Sequence, residues 1–242
     1  AYEISCSRVG SEMCIRDRAS HRFLRERTNL IMINQLYKLC APCLFGLESV
    51  LSGELKRLGF EDISVTDGRG EFTADAEGVA RANLNLRTAE RVLIVLDSFR
   101  AVTFQQLIDG AEKIPFEEYI GKKDAFPVKG WSLNSQLHSV PDCQSIIKKA
   151  AVKRLSRKYG VAWLEESGPT IQIQFSINKD IATIMLDTSG IALHKRGYRK
   201  VANLAPIRET LAAGILDIAR IYPDTQLYDC LLYTSDAADD RI

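Results

Sequence analysis

Three cations at a spacing of four are the strongest chemistry-bearing group in this chain. Between Asp142 and Tyr159 stand Lys149, Lys153 and Arg157, with Arg154 beside them. On a helix, side chains four apart are surface neighbours, and like charges there disfavour the helix by about 0.2–0.5 kcal/mol per pair. Phosphate oxygens relieve that repulsion and release counterions as they bind. A solvated helix face is the other reading of the same row. The second group is Lys195, Arg196, Arg199 and Lys200, interrupted by Gly197 and Tyr198. The glycine permits a tight backbone, and the tyrosine can stack on an unpaired base or simply pack. With no helix-turn-helix or zinc pattern in the chain, RNA is the expected partner rather than duplex DNA.

Other reactive residue types read as structural. Cys40-Ala41-Pro42-Cys43 is a C-x-x-C. Redox use needs the first thiol exposed at a helix N-terminus, whereas Cys40 continues an apolar strand. Without a second cysteine pair there is no four-ligand zinc site, and no metal is expected. His138 and His194 have no Cys, Ser or Asp partner at an informative spacing. Glu117-Glu118 and Glu165-Glu166 read as exposed acidic pairs. Nucleophile elbow, phosphate loop and complete dinucleotide fingerprint are all missing.

These groups need elements to hold them. Leu36 to Ala41 reads as a strand. Gly46 to Leu58 reads as a helix, with Leu47, Val50, Leu51, Leu55 and Leu58 at helical spacing and Gly59 as its stop. Ile63 to Thr66 and Glu71 to Ala74 are strands about an Asp67-Gly68 turn. Asp75 caps a helix over 76–86. Arg91 to Ser98 is a β-branched strand and 103–113 a helix. This βαββαβ order is the split βαβ of ferredoxin-like folds. Beyond it come a strand over 126–133 and a helix from Pro141-Asp142 to Tyr159. A hairpin over 170–186 turns at Asn178-Lys179-Asp180. A helix from Pro206 to about Arg220 follows, then the first residues of a strand at Gln226 to Asp229.

The chain has 242 residues, 46% hydrophobic and 26% charged, with a net charge of +1. That balance excludes disorder, collagen and coiled coil, and no apolar run approaches a membrane span. Charge is uneven along it. Residues 32–124 hold 11 Lys+Arg against 15 Asp+Glu, whereas residues 125–229 hold 14 against 9. The later part is therefore the one expected to meet a polyanion. Cysteine usage fits a reducing cytoplasm.

The two ends carry a different signal. Met13 to Arg18 can be encoded by ATG TGT ATA AGA GAC AGR, and Cys230 to Ser235 by TGT CTC TTA TAC ACA TCT. The second string is the reverse complement of the first over their shared length, in another frame. This resembles the inverted mosaic end of a transposase-based sequencing adapter, so 1–18 and 230–242 are expected to be adapter-derived. Residues 19–31 read as translated upstream sequence, with Met32 the expected start. Asp229 marks the end of the DNA fragment.

A family resemblance is carried by four runs. They are Ala41-Pro42-Cys43 with Gly46-Leu47-Glu48, Leu186 to Gly190, Leu193 to Arg199, and Ala205 to Ala213. Together they resemble the THUMP-containing RNA guanine methyltransferases, in particular the bacterial enzymes that methylate the exocyclic amine of a guanine in large-subunit ribosomal RNA. The resemblance covers nearly all of 32–229. It implies an α+β / α/β chain: a ferredoxin-like N-terminal half, then a THUMP domain, then the truncated beginning of a Rossmann-like methyltransferase domain. The corresponding divisions are 32–75 for the start of the ferredoxin-like domain, 76–190 for the THUMP region, and 191–229 for the linker with the first helix and strand of the catalytic domain. The cofactor implied for the parent protein is S-adenosylmethionine. Asn203, Pro206 and Asp229 would lie at the edge of its site, and the catalytic residues would lie beyond Asp229. RNA contacts are expected from Lys149, Lys153, Arg154, Arg157, Lys195, Arg196, Tyr198, Arg199 and Lys200. The fragment by itself is expected to hold cofactor poorly and to transfer no methyl group. A THUMP module of a tRNA-thiolating or deaminating protein is the alternative.

Overall fold

The computed structural model describes residues 35–197 and 207–221. β1 (Tyr37–Pro42) is followed by α1 (Glu48–Arg57), β2 (Glu61–Thr66), β3 (Arg69–Ala74), α2 (Ala76–Asn85) and β4 (Leu93–Arg100). Next come α3 (Phe104–Lys113), a single 3₁₀ turn (Phe116–Glu118), β5 (Val128–Leu133), α4 (Val140–Tyr159), β6 (Ile173–Asn178), β7 (Ile181–Asp187) and α5 (Glu209–Ile218).

Local chemistry accounts for most boundaries. Asp75 caps α2 by accepting from the Gly78 amide at 2.7 Å. Thr103 and Gln106 close a reciprocal capping box at the start of α3, which satisfies two otherwise orphaned amides. Gly160 ends α4 in the left-handed conformation, at φ +61°, a C-terminal stop that suits glycine. α1 starts two residues later than its hydrophobic spacing suggests. Gly46 sits at φ +90°, and the Glu48 carboxylate accepts from the Gly46 and Gly68 amides at 2.8 and 3.0 Å. Those bonds hold a turn where the helix was expected to begin. The 3₁₀ turn has no counterpart in the sequence reading. It follows Pro115 and buries Phe116 completely.

The seven strands form one sheet in the order β2-β3-β1-β4-β7-β6-β5. Every neighbouring pair is antiparallel except β5–β6. That parallel pair is joined by a crossover carrying α4, as parallel strands require. The first four strands, in order β2-β3-β1-β4, have the ferredoxin-like arrangement. β4 joins the two parts of the sheet. Leu93 and Ile94 pair with Cys40 and Leu39 of β1 along one edge, while the other edge pairs with β7 from Leu93 to Arg100.

α1 to α4 lie on one side of this sheet. Leu39, Phe72, Ile173, Phe175 and Leu186 point to that side and are buried. Beneath α3 and α4 the core joins Leu107, Ile114, Phe116, Phe126, Ile147, Leu155, Phe175 and Ile184. Gly130 on β5 is required there, because a Cβ would stand 2.2 Å from the Phe175 carbonyl oxygen. The β6–β7 hairpin turns through Lys179 and Asp180, both at positive φ of 50° and 63°, the two-residue turn that matches strand twist. The Asp180 carboxylate accepts from the Gln136 amide, and its own amide donates to Ser135 Oγ. These bonds hold a conformation that neither side chain favours.

Candidate nucleic-acid interface

α4 projects the expected row. Its buried side is Cys143, Ile147, Ala150, Ala151 and Leu155; Lys149, Lys153 and Arg157 are exposed. The row is not electrostatically uniform. Lys153 Nζ donates to Glu112 Oε1 at 2.6 Å. Arg154 forms a two-pronged pair with Glu117, at 2.7 and 2.8 Å, and also donates to the carbonyls of Glu112 and Lys113. Glu117, expected to be exposed, is thus half-buried, and this guanidinium holds its carboxyl below the usual carboxylate range. Lys149 and Arg157 have no ion-pair partner among the described residues. Two cations one turn either side of Lys153 therefore remain free for an anion. The self-repulsion argument for phosphate binding weakens accordingly, since Glu112 already relieves it at the centre of the row.

The second basic group is built differently. Arg196 donates to the carbonyls of Asn83, Leu84 and Leu86, and to that of Leu193. Asn83 and Leu84 are in the last turn of α2, where helix carbonyls lack partners and the dipole favours a cation. Arg196 is therefore a cap for α2, fixed by four acceptors. Gly197 adopts φ +79°, the tight backbone expected of it. Lys195 is exposed and has no ion-pair partner among the described residues. Tyr198, Arg199, Lys200, Asn203, Pro206 and Asp229 lie outside the described residues, as do the two terminal segments.

The segment after β7 is latched to the ferredoxin-like part by a polar cluster that the sequence reading missed. Asp187 pairs with Arg91, which also donates to the Gly190 carbonyl. Burial raises the Asp187 carboxyl, against the lowering effects of the Ser189 amide and Arg91. Asn83 exchanges hydrogen bonds with Thr188 and Ser189 at 2.9 and 2.7 Å. Glu90 receives Thr210 Oγ1 at 2.8 Å and Arg208 at 3.5 Å, and has His194 Nδ1 at 3.1 Å. Two of the motif runs, Leu186 to Gly190 and Leu193 to Gly197, thus build the junction. The unbroken run of small polar residues in Asp187-Thr188-Ser189-Gly190 was the available signal.

Cys40 and Cys43 are both buried, and burial pushes their thiols up to about 12 and about 11. Thiolate is then scarce at neutral pH, which fits packing and not redox chemistry. Among the described residues no cluster of His, Cys, Asp and Glu could hold a metal ion, and no helix is long and apolar enough to cross a membrane.

Comparisons with known proteins agree with this architecture. Residues 38–93 match the RlmL ferredoxin-like domain and residues 101–187 match the THUMP domain. The chain is 43% identical over 195 residues to a Bacillus subtilis protein named "Putative RNA methyltransferase YpsC", an alignment covering 80% of this chain and 50% of that protein. A solved structure from Listeria monocytogenes, titled as a "predicted N6-adenine-specific DNA methylase", superposes with TM-score 0.76 at 42% identity, covering 85% of this chain and 53% of that one. The structure of SMU.472, titled a "putative methyltransferase complexed with SAH", superposes with TM-score 0.73 at 39% identity, covering 79% of this chain and 51% of that one. The chain thus spans about half the length of these three relatives.

Proposed function

From the match to an RlmL ferredoxin-like domain followed by a THUMP domain, we propose that the chain is the RNA-recognising part of an S-adenosylmethionine-dependent RNA methyltransferase. The whole protein's substrate, in this reading, is the exocyclic amine of a guanine in large-subunit ribosomal RNA. The observation that carries it is the order of the two matched domains within one continuous sheet, shared with relatives whose names carry methyl transfer. The SAH-bound relative supports the cofactor class.

The part played by this chain's residues is binding and positioning. Lys149, Arg157 and Lys195 offer cations to phosphate without a competing carboxylate among the described residues. Lys153 and Arg154 contribute through the surface that they and their acidic partners build, and Arg196 through the loop that it anchors. Tyr198, Arg199 and Lys200 follow Gly197 in the sequence. Asn203, Pro206 and Asp229 are assigned to the edge of the cofactor site from the family resemblance alone, so no step of the reaction is routed through them. Methyl transfer to a base needs that base unstacked and held, and the domains described here would present the RNA for it. A reducing cytoplasm suits Cys40, Cys43 and Cys143, which are buried free thiols among the described residues.

The test is filter binding of the purified chain to large-subunit ribosomal RNA fragments and to tRNA across a salt series. Salt-dependent binding that favours the ribosomal fragments is expected, with labelled-methyl incorporation at background. Equal or tighter binding to tRNA would overturn the ribosomal assignment. Methyl incorporation above background would overturn the division of labour.

A further inference from the structure

The sheet has a second side, which buries Cys40, Leu93 and Met185 along its middle strands but leaves its β5 end exposed. In β5, Val128 and Gly130 point toward the helices, so Lys129, Trp131 and Leu133 point away. The pairing register carries that side across three more strands. Lys129 is beside Gln174 and then Met185; Trp131 is beside Ser176, Thr183 and then Ser98; Leu133 is beside Asn178, Ile181 and then Arg100. The Ser98 and Thr183 hydroxyls are 2.9 Å apart, which confirms that they share the side. Trp131 is 47% exposed, Leu133 54% and Ile181 51%. Lys129 and Arg100 are exposed, with no ion-pair partner among the described residues.

The geometry points to this surface as a platform for single-stranded RNA, with one unpaired base stacked on Trp131. The inference rests on the RNA-binding reading above and says where the bases go. Three features favour RNA over a protein partner. An exposed aromatic held on an open sheet gives any base a rigid stacking face. Lys129, one side-chain pair away along the strand at roughly 6.8 Å, and Arg100, on the far strand, supply cations for the flanking phosphates. Between them the Ser98 and Thr183 hydroxyls and the Gln174 carboxamide are at least partly exposed and can hydrogen-bond base edges, whereas Ser176 and Met185 are buried. α4 lies on the other side of the sheet, so the two surfaces can be separated by mutation.

The experiment uses the full chain carrying Trp163→Phe, which leaves Trp131 as its one tryptophan. The probe is a fluorescein-labelled oligouridylate of about 12 nucleotides, within the range such surfaces accept. RNA should quench Trp131 emission with the same midpoint as the rise in anisotropy. Trp131→Ala should raise Kd about tenfold, while Trp131→Phe stays within about threefold, because both rings stack. Circular dichroism on each variant separates lost binding from lost fold. Anisotropy showing binding while Trp131 is unquenched and Trp131→Ala is silent would overturn the platform and leave the RNA-binding reading standing. No anisotropy change with any RNA would sink both. Trp131 emission that varies with protein concentration alone, without RNA, would make this side a self-association surface and overturn the proposal.

Discussion

Arg154 and Glu117 form a two-pronged ion pair across 37 residues of sequence, Nε and Nη2 reaching the two carboxylate oxygens at 2.7 and 2.8 Å. The same guanidinium reaches the last carbonyls around α3 through Nη1. One side chain therefore fastens α4 to both α3 and the 3₁₀ turn that follows it. A planar fork with five donors suits this task, and an ammonium does not.

Arg154→Ala should accordingly act on stability before it acts on binding. Charge-assisted bonds at a half-buried pair contribute about 1–3 kcal/mol, so the unfolding free energy from urea denaturation should fall by that much and the midpoint with it, with Arg154→Lys recovering little. Unchanged stability with lost RNA affinity would instead make Arg154 a direct phosphate contact.

The same pair sets a pH dependence. Glu117 is held below its ordinary range, first by the side-chain bond from Arg154. A carboxyl whose folded pKa is depressed contributes stability above its unfolded pKa, and loses it as pH falls through the folded value. Wild type should lose part of its stability on acidification below the ordinary carboxylate range, and Glu117→Gln should lack that component. Parallel stability–pH curves for the two proteins would contradict this.

Lys149 and Arg157 are the free ends of the α4 row. The double reversal Lys149→Glu with Arg157→Glu should weaken RNA binding and lower the slope of log K against log salt by about 2, roughly one per lost phosphate contact. Lys153→Glu should differ in kind. It places a carboxylate against Glu112, so thermal unfolding should shift as well. A salt slope untouched by the double reversal removes α4 from the interface.

Arg196 is fixed by carbonyls of α2 and of its own loop. Arg196→Ala should expose those acceptors and cost about 1–3 kcal/mol. Hydrogen exchange should quicken in the last turn of α2, around Asn83 to Leu86, and in the loop that Arg196 closes. Normal protection there, with reduced RNA binding, would move Arg196 from scaffold to interface.

Gly130→Ala tests the sheet near the proposed platform. Its Cβ would press on the Phe175 carbonyl and ring, and overpacking of this kind costs about 1–3 kcal/mol. Both melting temperature and Trp131 emission should change. A variant indistinguishable from wild type would mean that β5 can slide away from β6.

Much was legible without coordinates because local chemistry decided it. Asp75, the Thr103–Gln106 pair, the long apolar stripe of α4 and the two-faced hairpin strands each specify an element through neighbours a few residues away. The family resemblance rested on runs such as Leu193 to Arg199, whose described residues Leu193 to Gly197 the structure places at the junction. Contacts remote in sequence were not legible. Nothing near Lys153 or Arg154 announces Glu112 and Glu117, so a helix that reads as carrying three free cations in a row and a fourth beside them has two that are paired. Lys129, Trp131 and Leu133 show period-two alternation, but alternation alone does not say that helices cover one side of the sheet and leave the β5 end of the other exposed. Composition, periodicity and capping determined which residues become strands and helices. Only the tertiary structure decided which charges are neutralised and which aromatic stays in water, because both depend on strand order and helix packing that bring distant residues within a few ångströms.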